Sequence, residues 1–359
     1  MHAQSKQPVY RTIADDLRNL IRAKHLPGDL LPSEADLSAK YDVNRHTIRH
    51  ALDLLSRENI ISRHHRRGSI VQDRKAVGEF AIVMHSRDLD ADVHPFFNLV
   101  NGAIIRLLAE RNPRWHVKLH VGKLTKTAEE FSATLDLLAP DVLRNLRGVF
   151  TFHPLYGVGA QLQTAKVPVV AFVHTEAPHV VFDDKTLFDL GVPLLKTAGC
   201  RTIGMIHAET SAKCARININ KKLFQHAAKK CGLKICPEWM APDIFANDFM
   251  EQDGYELMTR HWKSRPHPDG ILVLDDVLCR GVLRASVQLG IKFPRDLRLV
   301  TLANRGVALN YHKPVSRVEF NPEELARHAV DMMMTLVEGR TLPSTAIELT
   351  GELIKGETT

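Results

Sequence analysis

The stretch that decides the fold of the first domain is residues 32–52, PSEADLSAKYDVNRHTIRHAL. Ser33 and Asn44 each precede a run with helical spacing, and a short polar side chain there can accept a hydrogen bond from a free helix amide. Asp42 stands between the two runs, where a short polar side chain tolerates a left-handed backbone. The stretch therefore predicts two short helices separated by a tight turn.

The second of these helices has an apolar face and a cationic face. Its apolar stripe consists of Ile48, Ala51, Leu52 and Leu55. Arg45 and Arg49 are four residues apart and share the opposite face, beside His46, Thr47 and His50. A helix whose first turns expose arginine and threonine has the geometry that reads base edges in a major groove. Two solvated arginines on an ordinary surface helix are the alternative interpretation.

The segments on either side favour nucleic acid. Residues 10–23 have the apolar spacing of a first amphipathic helix. Residues 60–71 contain two short apolar runs joined by the turn His64-His65-Arg66-Arg67-Gly68. This pattern predicts a hairpin with a cationic tip suited to phosphates or to a narrow minor groove. The candidate DNA-binding residues are Ser33, Glu34, Asn44, Arg45, His46, Thr47, Arg49, His65, Arg66, Arg67 and Gly68.

This order of helices and hairpin resembles the winged helix-turn-helix of the gluconate-repressor (GntR) family over about residues 8–72. The resemblance implies a DNA-binding domain at residues 1–73, followed by a linker at 74–78. One departure lies in the wing, where the family has two glycines and this chain has Arg66 in place of the first.

Charge and cysteine content agree with this interpretation. The chain of 359 residues has a net charge of +7, and residues 1–75 hold 14 lysines and arginines against 9 aspartates and glutamates. Such an uneven distribution is typical of a basic nucleic-acid module attached to a near-neutral body. The five cysteines show no CxxC or metal-finger spacing, and no signal peptide or membrane-spanning run is recognisable. We expect a cytoplasmic protein with reduced thiols.

From Glu79 onward apolar strands alternate with amphipathic helices. Strands are predicted near 80–84, 115–121, 148–153, 167–173, 202–207, 270–274 and 298–302, and helices near 96–110, 128–138, 184–198, 218–231, 253–263 and 277–289. This alternation predicts an α/β body whose parallel sheets are covered on both faces. Ligands of such sheets bind outside the carboxyl ends of the strands.

Several segments of the body resemble the effector domain of the lactose/galactose-repressor (LacI/GalR) family. They are HPFF at 94–97, VFDD at 181–184, LKTAGCRTI at 195–203, PDGILVLDD at 268–276, GIKFPRD at 290–296 and ELTGELIKGET at 348–358. The resemblance covers nearly all of residues 79–359. It implies a type I periplasmic-binding-protein-like body, in which two subdomains are joined by three crossovers and a small molecule binds in the cleft.

The residues predicted to line the cleft combine aromatic and polar side chains, as ligand pockets do. They are Ser86, Arg87, Phe96, Phe97, His153, His174, Arg216, Asn220, Asp275 and Asn304. Asn220 stands where the family often has an arginine that binds hydroxyl groups, and Ala303 replaces an aspartate. Either the effector is not an ordinary neutral hexose, or Arg216, Asp275 and Asn304 make the polar contacts from new positions.

The sequence gives little support to the hypothesis that the protein is an enzyme. It has no Gly-x-Gly-x-x-Gly after the first strand of the body, no P-loop, no Gly-x-Ser-x-Gly and no His-Glu-x-x-His. We expect no catalysis, cofactor or metal.

The sequence predicts instead a homodimeric transcriptional regulator, a repressor, that binds an inverted-repeat operator in double-stranded DNA. It is expected to respond to a small molecule, which by resemblance is a carbohydrate. The alternative is a ligand-binding protein whose winged helix contacts protein, a role in which Arg45, Arg49, Arg66 and Arg67 have little use.

Overall fold

The computed structural model describes most of the chain. The described residues are 8–24, 28–58, 60–64, 67–72, 78–90, 94–123, 130, 135–209, 215–240, 243–244, 250–263 and 266–359. Within them no helix is long and apolar enough to cross a membrane. Nor do three or more His, Cys, Asp or Glu side chains in this part of the chain form a group that could hold a metal ion.

The N-terminal unit is a winged helix-turn-helix, as predicted. It comprises α1 (Val9–Lys24), α2 (Glu34–Tyr41), α3 (Arg45–Arg57), β1 (Ile61–His64) and β2 (Gly68–Val71). The two strands pair antiparallel, with Ile61 opposite Val71. The predicted caps are confirmed, because the Ser33 side chain accepts a hydrogen bond from the Asp36 amide and the Asn44 side chain accepts one from the Thr47 amide. Asp42 has the predicted left-handed backbone, with φ 50°.

The core of this unit joins all three helices to the hairpin. Leu17, Leu37, Leu52 and Val71 lie in one buried cluster. Arg18 on α1 is also buried, and its guanidinium group donates hydrogen bonds of 2.9–3.0 Å to both carboxylate oxygens of Glu58 at the end of α3. The first and third helices are therefore connected by an ion pair as well as by apolar packing.

A first parallel sheet follows, in the order β15-β7-β6-β5-β3-β4. Its strands are β3 (Gly78–His85), β4 (Trp115–Gly122), β5 (Leu146–Thr151), β6 (Val169–Ala171), β7 (His179–Phe182) and β15 (Ala346–Leu349). Helices α4 (Pro95–Arg111) and α11 (Pro322–Val337) pack on one face, and α5 (Pro140–Asn145) and α6 (Val158–Thr164) on the other. Because helices cover both faces of the sheet, successive side chains of β3 are buried on either side, which accounts for its nearly continuous apolar sequence.

A second sheet has the order β10-β8-β12-β13-β14-β16 and is parallel except for its last strand. Its strands are β8 (Thr202–Ile206), β10 (Lys234–Ile235), β12 (Gly270–Val273), β13 (Arg298–Asn304), β14 (Arg317–Phe320) and β16 (Glu352–Ile354). Helices α7 (Lys185–Thr197) and α8 (Ala215–Lys230) pack on one face. Helices α9 (Met250–Lys263) and α10 (Asp276–Gln288) pack on the other. The short strands β9 (Ala208–Glu209) and β11 (Asp243–Ile244) pair separately.

The chain passes between the two sheets three times. It leaves the first sheet after β7, returns to it between β14 and α11, and leaves it again between β15 and β16. The Phe182 and Phe320 rings, at the first two of these crossovers, lie 4.7 Å apart. The predicted body of two α/β subdomains is confirmed; we refer to the parts built on the two sheets as the first and second subdomains.

Two local predictions differ from the structure. Strand β3 begins at Gly78, the last residue of the predicted linker, while residues 74–77 lie outside the described residues. The helix predicted at 128–138 falls largely outside them as well, and its last residues, 135–138, are not helical. The helix of this region is α5, which begins with Pro140, a residue that is well suited to the first turn.

Candidate DNA interface and effector site

The exposed face of α3 carries the predicted recognition residues. Arg45 and His46 are exposed at the start of the helix, and the His46 ring lies 4.4 Å from that of His50 one turn later. Thr47 is half-buried, and its hydroxyl group donates to Asn44 Oδ1 at 3.0 Å. Of the predicted recognition residues on α3, Arg45 and Arg49 are exposed and have the longest side chains.

An alternating row of charges extends from α3 to the wing. Arg49 donates from Nε to Glu34 Oε2 at 2.8 Å, and Arg63 on β1 donates to the other oxygen, Glu34 Oε1. Arg63 also pairs with Asp53 on α3. Glu34, at the first position of α2, thus connects an arginine of the recognition helix to an arginine of the wing.

The tip of the wing is described only in part. His65 and Arg66 lie outside the described residues, whereas Arg67 is exposed. Gly68 has φ +87°, a conformation that residues with a side chain rarely adopt, so glycine suits this position of the turn.

A polar cluster lies at the carboxyl ends of β3 and β5. His153 donates from Nε2 to Asp88 Oδ2 at 2.6 Å, and its ring lies 4.1 Å from that of His85. Burial acts to raise the pKa of Asp88, but the hydrogen bond and charge of His153, together with the His85 amide, leave that pKa below its ordinary value. Asp88 is therefore an ionised acceptor, which places the hydrogen of this bond on His153 Nε2.

Aromatic rings continue from this cluster toward the crossovers. Phe97 lies 4.9 Å from Phe152 and 5.5 Å from Phe96. Phe96 in turn lies 5.9 Å from Phe182, which contacts Phe320. Phe96 and Phe97 are half-buried and pack against the core of the first subdomain. Phe152 directly precedes His153 in the chain, which connects these rings to the His153–Asp88 pair.

The second subdomain contributes a buried pair at the ends of β12 and β13. The backbone amide and side-chain nitrogen of Asn304 donate to Asp276 Oδ2, at 2.9 and 3.0 Å. Burial raises the pKa of Asp276, although the two bonds from Asn304 act in the opposite direction. Asn220 is also buried, and no residue of the described part of the chain lies within hydrogen-bonding distance of its Oδ1. A buried amide oxygen without a hydrogen-bond partner costs free energy, which makes Asn220 a candidate ligand contact.

The other predicted cleft residues are placed as follows. Ser86 is exposed at the start of the short 3₁₀ turn after β3. His174 is exposed, and its ring lies 5.5 Å from that of His179. The side chains of Arg87 and Arg216 lie outside the described part of the structure. Asp275 caps α10 by accepting a hydrogen bond from the Leu278 amide at 2.9 Å.

Comparison with known families agrees with this geometry. Residues 9–71 match the sequence model of the bacterial regulatory proteins of the gntR family. Residues 192–359 match that of the periplasmic binding protein-like domain. The chain joins a gntR-family domain to a periplasmic binding protein-like domain. This is the combination that the sequence predicts.

Curated relatives match part of the chain. The HTH-type transcriptional regulator GalR of Streptococcus thermophilus is 28% identical over 169 residues, which are 46% of this chain and 50% of that protein. The HTH-type transcriptional repressor PurR of Pasteurella multocida is 24% identical over 44% of this chain and 45% of its own length. The chain thus spans about half the length of the curated relatives it matches.

Solved structures cover more of the chain. A LacI family transcriptional regulator from Arthrobacter sp. FB24 superposes with a TM-score of 0.63 at 19% identity, covering 79% of this chain and 99% of its own. The lac repressor dimer bound to operator and an anti-inducer gives a TM-score of 0.62 at 17% identity, over 79% and 95% of the two chains. At these identities the likeness establishes the fold of the periplasmic binding protein-like body.

Three residues that the sequence analysis did not select complete the candidate sites. Arg63 of the gntR-family domain belongs to the charged row that also contains Arg49, Glu34 and Asp53. Asp88 and Asp276 of the body are both buried and both bonded to predicted cleft residues. Each stands within three residues of a selected position. The sequence pattern therefore identified the right segments, but not which side chain of each segment makes these contacts.

Replacing Asp276 with asparagine should stabilise the ligand-free protein at neutral pH. Because burial raises the folded-state pKa above the ordinary 3.8, the native state binds this proton more tightly than the unfolded chain, and wild-type stability falls as pH rises through that interval. An asparagine oxygen can still accept both bonds from Asn304, without the cost of a buried charge. Urea unfolding of wild type and Asp276→Asn at about pH 7 and about pH 3.5 measures the difference. The gain should be present at the higher pH and disappear at the lower one; an equal gain at both would contradict this explanation.

Proposed function

We propose that this protein is a transcriptional regulator, acting as a repressor, whose binding to operator DNA is controlled by a small molecule. The observation that carries the proposal is the capped helix α3, which exposes Arg45 and Arg49 beside a wing in a domain that matches the gntR family. Guanidinium groups on an exposed helix can pair with guanine edges in a major groove. The proposed partner is double-stranded DNA in the cytoplasm, and no catalytic step is part of the proposal.

The proposed regulator is a homodimer that forms through its body. Ile105 on α4 and Leu119 and Val121 on the edge strand β4 are each 40–45% exposed, and exposed apolar side chains of this kind are typical of interfaces. A two-fold dimer would present two winged helices to an inverted repeat. We expect sedimentation of the full-length protein to give a dimer, and Leu119→Asp to shift it toward monomer. Val9→Asp, in the DNA-binding domain, is the control, and a monomeric wild type would contradict the dimer.

The proposed effector site combines His153, Asp88, Asp276 and Asn304, which lie at or just after strand ends, with Asn220 on helix α8. An effector changes operator binding only if it binds one conformation of the two subdomains more tightly than the other. One structural neighbour is a LacI family regulator in complex with lactose, and a curated relative is named GalR. Carbohydrates are therefore the first class to test, by thermal shift of the full chain, since a ligand that binds only the native state raises its apparent stability.

Arg45 and Arg67 are expected to respond differently to alanine substitution. Arg45→Ala should weaken operator binding by roughly 5- to 150-fold, the range for one arginine–guanine pair, with little effect on random DNA. Arg67→Ala should weaken both and flatten the dependence on log salt by about one unit, because a phosphate contact carries no sequence information. Fluorescence anisotropy with a duplex selected from a random pool, and with random duplex, measures both. An Arg45→Ala protein with unchanged preference for the selected duplex would contradict the recognition-helix assignment.

A further inference from the structure

Glu34 is an acidic side chain on a surface that the proposed function brings against phosphates. Its side chain is 26% exposed, and both of its carboxylate oxygens are used, Oε2 by Arg49 and Oε1 by Arg63. A carboxylate in this position repels the DNA backbone, so its presence calls for a compensating role. The contacts with the two arginines indicate what that role is.

The hydrogen bond from Arg49 to Glu34 leaves the two Nη groups of Arg49 available to bind a base. Arg49 donates to Glu34 through Nε, and its side chain is 58% exposed. The two terminal Nη groups are the ones that bind guanine O6 and N7 side by side. A guanidinium group held at Nε loses less rotamer freedom when it binds a base, so holding it beforehand favours the specific complex.

The same carboxylate fixes the wing relative to the recognition helix. Arg63 is the next-to-last residue of β1 and pairs with Asp53 on α3 as well as with Glu34. The row Arg49–Glu34–Arg63–Asp53 therefore crosses α3, α2 and β1. Its members alternate in sign, so each of the two arginines has a carboxylate partner within the domain.

We propose that Glu34 is a positioning residue that orients Arg49 and Arg63 for sequence-specific DNA binding, at a cost in non-specific affinity. This rests on the proposed DNA-binding function. A positioning role and direct reading of a cytosine amino group by Glu34 are distinguishable, because in the first case the effect of Glu34 passes through Arg49. It also differs from a purely structural role, which would lower binding to every sequence.

The test uses full-length protein, a duplex selected from a random pool with wild type, and a random duplex of the same length. Glu34→Ala should weaken binding to the selected duplex by roughly 5- to 150-fold, the range for a lost arginine–guanine pair, while binding to the random duplex becomes stronger. Glu34→Gln, which keeps an acceptor for Arg49, should fall between Glu34→Ala and wild type. The double variant with Arg49→Ala should bind the selected duplex no more weakly than Arg49→Ala alone.

Asp16→Ala is the matched control, since Asp16 is an exposed carboxylate of the same domain that lies 3.4 Å from the Tyr41 hydroxyl group and is not part of the charged row. It should strengthen binding to both duplexes and keep the preference. Equal weakening of both duplexes by Glu34→Ala and Glu34→Gln would overturn the proposal in favour of a structural role. So would additive losses in the double variant, which would indicate direct base reading. Failure of the wild type to select any duplex would overturn the DNA-binding function itself.

Discussion

Replacing Glu58 with alanine is expected to destabilise the gntR-family domain by about 3–5 kcal/mol, the usual cost of removing one partner of a buried ion pair. The side chains of Arg18 and Glu58 are only 7% and 11% exposed. Without Glu58, the Arg18 guanidinium group would remain buried, with Asp15 as its other carboxylate partner. Urea unfolding of the full chain should show an earlier first transition, with the transition of the body unchanged.

The double variant Arg18→Met/Glu58→Leu provides the control for this prediction. Well-packed apolar residues of similar size often replace a buried ion pair at no cost in stability. The double variant should therefore unfold near the wild type, although each charge is gone. If Glu58→Ala lowers stability by less than about 1 kcal/mol, as for a solvent-exposed pair, the pair is not effectively buried in solution.

Replacing Gly281 with alanine is expected to cost about 3 kcal/mol or more in the second subdomain, the upper part of the range for overpacking. Helices α9 and α10 approach through their backbones, and a methyl group at 281 would overlap the Glu251 carbonyl oxygen and lie 2.6 Å from the Tyr255 amide nitrogen. Gly254 faces the Leu278 carbonyl group in the same way. Backbone atoms cannot turn aside as a flexible side chain can, so the two helices would have to separate.

Gly159→Ala is the matched control for Gly281→Ala. Gly159 is also helical, but the nearest atom to an added methyl group would be Leu155 Cβ, at 3.8 Å. Stability should there stay unchanged or rise by up to about 1 kcal/mol, because alanine restricts the unfolded chain and favours the helix. Thermal denaturation of both variants separates the two effects. Equal thermal midpoints for the two variants would show that α9 and α10 can separate at their contact at little cost in stability.

The N-terminal domain could be predicted almost completely from its sequence because its determinants are local. Ser33, Asp42 and Asn44 fix two helix starts and a turn through contacts that span no more than four residues. The charged row around Glu34 could not be predicted in this way. It joins residues 15 and 29 positions apart in the chain, and only the packing of α2 against α3 and β1 brings them together.

The sequence predicted the strand ends on which the candidate effector site is built, but not which side chains bond to each other there. The ends of β12 and β13 were located by their apolar pattern, yet the sequence favoured Asp275 over Asp276. In the structure Asp275 is the N-cap of α10, while Asp276, the first residue of that helix, accepts hydrogen bonds from Asn304. The sequence pattern also did not identify β14 or α11, since the core position of α11 depends on the strands of the first sheet.

The three crossovers determine the order in which the protein can fold during synthesis. The buried apolar cluster of the winged helix consists of residues of its own segment, so its core can form as soon as that segment is made. The first sheet instead waits for α11, whose Leu325, Ala329 and Met333 cover Phe80 and Phe150. About 140 residues separate the end of β7 from α11, which corresponds to roughly 7–28 s of translation. The DNA-binding domain can therefore fold on the ribosome before the body is complete. Chains that stop before α11 expose an apolar face of the first sheet, which favours aggregation.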